Sequence, residues 1–199
     1  MIYTELTKKA LVLCFEAHKN QVDKSGMPYV FHPFHVADRM PDEATTIVAL
    51  LHDVVEDTPY SLEDIQKLGF PKVVTDTLAL MTHDKSVPYL DYIKALADNP
   101  VARLVKMADL DHNMDLTRLN TVDEEAQARI KKYKMAKSIL LEKQIEANKK
   151  YAPLQIKATR KHLLELWAQL DERGRDRTVA AAEISLRGQK EFPECSHKA

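Results

Sequence analysis

Four glycines in 199 residues are too few for a fold assembled from hairpins, because tight turns rely on glycine for left-handed backbone. Cysteine is as scarce. Cys14 lies in the apolar pattern "ALVLCFEAH" and Cys195 in a polar tail, which suits a buried thiol and an exposed one rather than a disulfide framework. A reducing cytoplasm is the expected compartment. Neither sign of charge is in excess: 29 basic and 30 acidic side chains leave a net charge of −1. That balance argues against a dedicated nucleic-acid binder. No stretch approaches the ~18 apolar residues of a membrane span. The first helix carries Glu5, Lys8, Lys9 and Glu16, which excludes a signal peptide. Hydrophobic residues still make up 45% of the chain, ample for a core.

What is present has helical spacing. Thr4 caps a first helix that runs to about Lys19, followed by a loop, "NQVDKSGMPYVFHP", marked by Ser-Gly and two prolines. "FHVADRM" resumes a helix, and Asp42 or Glu43 opens another over "ATTIVALLHDVVEDT" that Pro59 ends. Ser61 caps a short helix to Leu68, and Pro71 takes the first position of the next. "VPYLDYIKALAD" and "PVARLVKMADLDHNMDL" add two more. A longer helix covers Val122 to about Lys150, and Pro153 starts another through Leu170. No period-2 strand is evident, and there is no internal repeat. The expected fold is all-α, with one domain over residues 1–145 and a helical extension and polar tail over 146–199.

Within this pattern, "ALLHDVVEDT" at 49–58 places four ionisable residues in an otherwise apolar segment. On a helix His52, Asp53, Glu56 and Asp57 fall within an arc of roughly 140°, with Leu50, Leu51, Val54 and Val55 opposite. A solvated face would normally intersperse Lys or Arg to pair such acids, and none occurs between Leu50 and Thr58. His32, just before Pro33, and Asp109, in "VKMADLDHNM", supply further nitrogen and oxygen donors in apolar helical surroundings. Lys106 and Asn113 share the Asp109 face at i−3 and i+4. His32, His52-Asp53 and Asp109 are therefore candidate metal ligands from separate helices. Each alone has a plainer explanation as a loop hydrogen-bonder or a solvated acid.

The three segments "AHKNQVDKSGMPYVFHPFHVA", "ALLHDVVEDT" and "VKMADLDHNM", in that order, resemble the HD-domain metal-dependent phosphohydrolases. More narrowly, they look like the alarmone hydrolases among the RelA/SpoT homologues. The resemblance covers residues 17 to about 114. It implies an HD-type helical bundle in which His32, His52, Asp53 and Asp109 bind one divalent metal, with Mn²⁺ usual in this branch. It also implies that Glu56 and Asp57 activate or orient the attacking water. Lys24 and Ser25 would approach substrate, and Asn113 would bond its sugar or phosphate. The implied reaction removes the 3′-diphosphate of guanosine tetra- or pentaphosphate, releasing pyrophosphate and GDP or GTP. No sign of the nucleotide-synthesising domain of the long family members is seen, so degradation alone is expected.

Two departures bear on the substrate. Asp23 stands where the branch has the Arg of "RKSG", and an acid cannot stack on a base as a cation. "ADLDHNM" puts Leu110 in place of a basic residue and Asp111 in place of a core leucine. A hydrolase of another nucleotide or phosphorylated metabolite is therefore the rival reading, and a non-catalytic nucleotide-binding sensor a third. Leu163, Leu164, Leu166, Trp167 and Leu170 form a stripe too apolar for water. It is expected to pack on the core or to join copies of the chain into a homo-oligomer.

Overall fold

The helix that leads into His52 is buried on every side. In the computed structural model, which describes residues 1–119 and 121–169, α3 (Glu43–Leu51) has every residue from Thr45 to Leu51 buried. An apolar helix without a polar stripe belongs inside a bundle, and four neighbours surround this one. They are α1 (Glu5–His18), α2 (Phe31–Asp38), α6 (Lys72–Met81) and α8 (Pro100–Asn113). Ile47, Leu50 and Leu51 are fully buried, each worth about 1.5–3 kcal/mol of transfer free energy. Between these helices lie α4 (Val54–Asp57), α5 (Leu62–Lys67) and α7 (Tyr89–Leu96). The fold is all-α: no strand forms among the described residues, and Val22 and Pro28 make an isolated antiparallel bridge.

Local rules place the helix ends. Thr4, Asp42 and Ser61 each accept the N3 amide in a capping box, and Asn99 caps α8 with Pro100 behind it. Gly26 closes the turn of the 23–27 loop at φ +81°, a conformation that favours glycine. Cys14 is buried and free, and burial pushes its thiol up to about 12.

The chain divides into two compact units, Met1–Glu146 and a second from Ala147. After a 3-10 turn, Leu116–Arg118, the helix α9 runs Glu124–Gln169. Within the first unit it contributes Ala136 and Leu140 to the core. It is pinned to α8 by the Lys137–Asp111 ion pair and by Arg103, whose Nε donates to Gln144 at 3.1 Å. Asp111 thus has a partner of its own on α9, while Leu110 is core at 1% exposure.

Three expectations need correction. The helix expected over residues 43–58 is interrupted: α3 ends at Leu51 and α4 begins at Val54, with Asp53 at φ −99°, ψ −6°. There the Asp53 side chain is held from outside its own helix, by Tyr29. Pro71 caps α6 from outside instead of sitting in its first turn, since its ψ of 148° is extended. Pro153 does not start a new helix, because α9 continues through it. Strong helix formers on both sides (Lys, Ala, Leu, Gln) outweigh the one missing N–H. The side chains of the 163–170 apolar stripe, the tail from Asp171 and Cys195 lie outside the described residues.

Candidate metal centre

Two helix ends and the body of a third helix converge on one buried point. His32 comes from the first turn of α2, the His52-Asp53 pair follows α3, and Asp109 comes from α8. One ligand atom from each of His32, His52 and Asp109 lies within 4.8 Å of the others, and all three residues are buried. His32 Nε2 is 3.1 Å from Asp109 Oδ1 and 3.6 Å from Asp53 Oδ2. His52 Nε2 is 3.0 Å from Asp53 Oδ2 and 3.7 Å from Asp109 Oδ1.

The imidazole tautomers decide what this cluster can hold. His52 Nδ1 lies 2.8 Å from the Ala49 carbonyl, an acceptor, so Nδ1 carries the proton. His52 Nε2 is then the free valence of the ring, buried and without a hydrogen-bond partner although two carboxylates flank it. A lone pair facing carboxylate oxygens is repulsive unless a cation intervenes. A proton on His52 is one such cation: burial opposes it, but Asp53 and Asp109 outweigh burial and lift His52 to about 10. Burial also opposes charge on Asp53 and Asp109. The His52 charge for the first, and Lys106 for the second, hold both below the usual carboxylate range. Two nitrogens and carboxylate oxygens around one point suit a borderline divalent ion, so the residues fit a metal.

Several side chains hold this cluster from outside the ligand set. Tyr29 donates its hydroxyl to Asp53 Oδ2 at 2.6 Å, and His112 Nδ1 lies 2.6 Å from His32 Nδ1. Lys106 is half-buried with Nζ 2.7 Å from Asp109 Oδ2, and Asn113 donates to Asp109 Oδ1 at 2.5 Å. Asp109 is therefore bonded at both oxygens. The helical spacing put Lys106 and Asn113 on the Asp109 face, but the partial enclosure of the lysine is visible only in three dimensions.

The other candidates divide. Two cavities flank the cluster, of about 300 and 170 Å³, and Tyr29, Asn113 and Tyr133 line both. Glu56 faces the smaller one, where its carboxylate accepts the His83 amide at 3.3 Å. Asp57 is exposed as a residue, but partial enclosure of its carboxyl, with the Asp53 and Glu56 charges, holds that group above the ordinary value. Lys24 and Ser25 line the larger cavity. Lys24 is exposed with Glu125 3.7 Å away, and the Ser25 hydroxyl donates to the Arg118 carbonyl. Asp23, set against substrate binding by its charge, is already engaged by Arg118 at 2.9 Å.

A solved structure of a metazoan orthologue of SpoT, which hydrolyses ppGpp and plays a role in starvation responses, superposes with a TM-score of 0.55. It is 30% identical, over 72% of this chain and 87% of that one. This chain belongs to the HD-domain family of SpoT. Further SpoT-family relatives include the GTP pyrophosphokinase of Myxococcus xanthus, 34% identical over 143 residues, 63% of this chain and 19% of that protein. The bifunctional (p)ppGpp synthase/hydrolase SpoT of Escherichia coli K12 is 33% identical over 122 residues, 54% of this chain and 17% of that one. This SpoT-family chain thus matches under a fifth of the length of these two curated relatives. No family model matches it.

Proposed function

We propose that the chain is a metal-dependent pyrophosphohydrolase that removes the 3′-diphosphate from guanosine tetra- and pentaphosphate, releasing pyrophosphate and GDP or GTP. The observation that carries this reading is the buried, unpartnered His52 Nε2 facing Asp53 and Asp109, beside two cavities of about 300 and 170 Å³ that share Tyr29, Asn113 and Tyr133. His32, His52, Asp53 and Asp109 would hold one divalent cation, with Mn²⁺ the ion suggested by resemblance. When bound, such a cation supplies a polarised water and neutralises charge on the departing pyrophosphate.

The protein's own groups divide the remaining work. Asp57, whose carboxyl is held above the ordinary value, accepts the proton of the attacking water, since a base works best when its pKa approaches the working pH. Glu56, fixed by the His83 amide, orients the water from the smaller cavity. Asn113 holds Asp109 in place and presents its amide to both cavities, where a sugar or phosphate oxygen would meet it. Lys24 and Ser25 place the larger cavity's loop against the nucleotide.

The hydrolase unit is residues 1–145, with 146–199 an extension and tail through which copies would self-associate, and the compartment is the cytoplasm. No helix among the described residues is long and apolar enough to cross a membrane. The rival substrate class rested on Leu110, which offers no basic side chain to a phosphate, and on the acid at position 23. The Arg118 contact neutralises that acid and so favours the alarmone.

The test is pyrophosphate release with Mn²⁺ present, from guanosine tetraphosphate and a panel of ordinary nucleotides, with Asp53→Ala as control. Release from the alarmone that Asp53→Ala abolishes supports the reading. Release only from other nucleotides transfers the mechanism to the rival substrate class, and release by none of them favours the sensor.

A further inference from the structure

Arg118 belongs to no motif in the sequence, yet its guanidinium joins the substrate loop to the metal centre. Nη1 lies 2.9 Å from His112 Nδ1 and donates to the His112 carbonyl at 3.0 Å, while Nη2 donates to Asp23 Oδ2 at 2.9 Å. A guanidinium can only donate, so the His112 Nδ1 that faces it is bare. His32 Nδ1 lies 2.6 Å from that same nitrogen. Two bare nitrogens cannot sit so close, and the proton between them therefore belongs to His32. A neutral His32 then offers its lone pair through Nε2, which lies among the candidate ligands, 3.1 Å from Asp109 Oδ1. Through one intervening ring, Arg118 dictates which nitrogen of His32 can bind a metal.

The other arm of the fork holds the loop. Asp23 Oδ1 accepts the amides of Ser25 at 2.8 Å and Met27 at 3.0 Å, and the Ser25 hydroxyl donates back to the Arg118 carbonyl. Asp23, Lys24, Ser25, Arg118 and His32 all line the larger cavity. The loop and the ligand are thus two ends of one chain of polar contacts: loop amides to Asp23, Asp23 to Arg118, Arg118 to His112, His112 to His32.

We propose that Arg118 is a positioning residue that fixes His32 as an Nε2 ligand and couples metal affinity to the conformation of the 23–27 loop. This rests on the reading of His32 as a metal ligand. The coupling is reciprocal: a nucleotide that orders the loop tightens the metal, and the metal tightens the nucleotide by the same factor. It also gives Asp23 a purpose other than contact with a base, as the acid that aims Arg118.

The experiment uses the full chain, ¹⁵N-labelled and metal-free at mildly alkaline pH. Long-range imidazole spectra assign the ring protons, and calorimetric titration with MnCl₂ gives affinity. The wild type should show a protonated Nδ1 on His32 and a bare Nδ1 on His112. Arg118→Met should let a proton onto His112 Nδ1 and weaken Mn²⁺ binding by on the order of tenfold, the usual scale for losing an outer partner of a ligand. Arg118→Lys, a point charge without the fork, and Asp23→Asn, which frees the fork from the loop, should both fall between. Wild-type ring spectra together with wild-type affinity in Arg118→Met would overturn the proposal. If that variant does not fold, Arg118→Lys decides on the same two readouts. Absence of Mn²⁺ binding to the wild type overturns this proposal and the metal reading together. Changed spectra and affinity in a chain that cleaves no alarmone would uphold the role of Arg118 and remove only the substrate.

Discussion

Asp109→Asn keeps the shape of the side chain and deletes one charge from the centre of the protein. Lys106, its partner at 2.7 Å, is 14% exposed, against 4% for Asp109. Burial works against the Lys106 ammonium, but the Asp109 charge overcomes it and keeps the lysine charged. Removing one member of a buried pair typically costs about 3–5 kcal/mol, because the other is left buried without a counter-charge. Relief of repulsion between Asp109 and Asp53 offsets part of this, so the expected loss is near the lower end, about 3 kcal/mol. At about 2–4 °C per kcal/mol for a chain of this length, the melting temperature should fall by about 6–12 °C. Adding Lys106→Met removes the orphaned ammonium and should restore most of the loss. The assay is urea and thermal unfolding in EDTA, so that no metal contributes through mass action. A single variant within about 1 kcal/mol of wild type would refute the reasoning. So would a double variant no more stable than the single one.

Other perturbations probe other links. Dialysis against EDTA should abolish pyrophosphate release and added Mn²⁺ restore it; activity that survives the chelator would remove the metal from the mechanism. Asp57 has a folded pKa raised above the ordinary 3.8, so its protonated form is the one folding favours, and the stability it contributes at low pH is lost as pH rises through that value. Asp57→Asn should therefore raise the melting temperature at neutral pH while lowering turnover, and a lower melting temperature would contradict the assignment. Tyr29→Phe deletes the hydroxyl that donates to Asp53 at 2.6 Å, a bond to a charged group worth about 1.5–3 kcal/mol, measurable in the urea midpoint of the metal-free chain. Leu51→Ala, at a fully buried position next to His52, should cost about 2–5 kcal/mol by the same measurement.

How much of this was legible in the sequence depended on the range of the cause. Thr4, Asp42 and Ser61 act on amides three residues away, so the helix starts they cap could be read directly. His32, His52 and Asp109 could be picked out because donors of that type are conspicuous in apolar helical text. Tyr29, His112 and Arg118 act on residues 24, 80 and 95 positions away respectively, and no periodicity carries such information. Arg118 was hidden further by Asp23, whose acid at a position the resemblance fills with arginine looked like a lost contact rather than half of a new one. At Pro153 and in the 43–58 helix a single local rule is overridden: helix formers surround the proline, and Asp53 is bonded by a tyrosine from another segment.

The burial of α3 implies a division of labour over evolutionary time. His52 follows directly on a helix enclosed by α1, α2, α6 and α8, so a shift in its position requires the whole bundle to repack. The 23–27 loop, by contrast, is held by a few hydrogen bonds and one ion pair that two substitutions could rewrite. A cluster placed this way is hard to shift gradually, whereas the loop beside it can drift, one polar exchange at a time, with the core undisturbed.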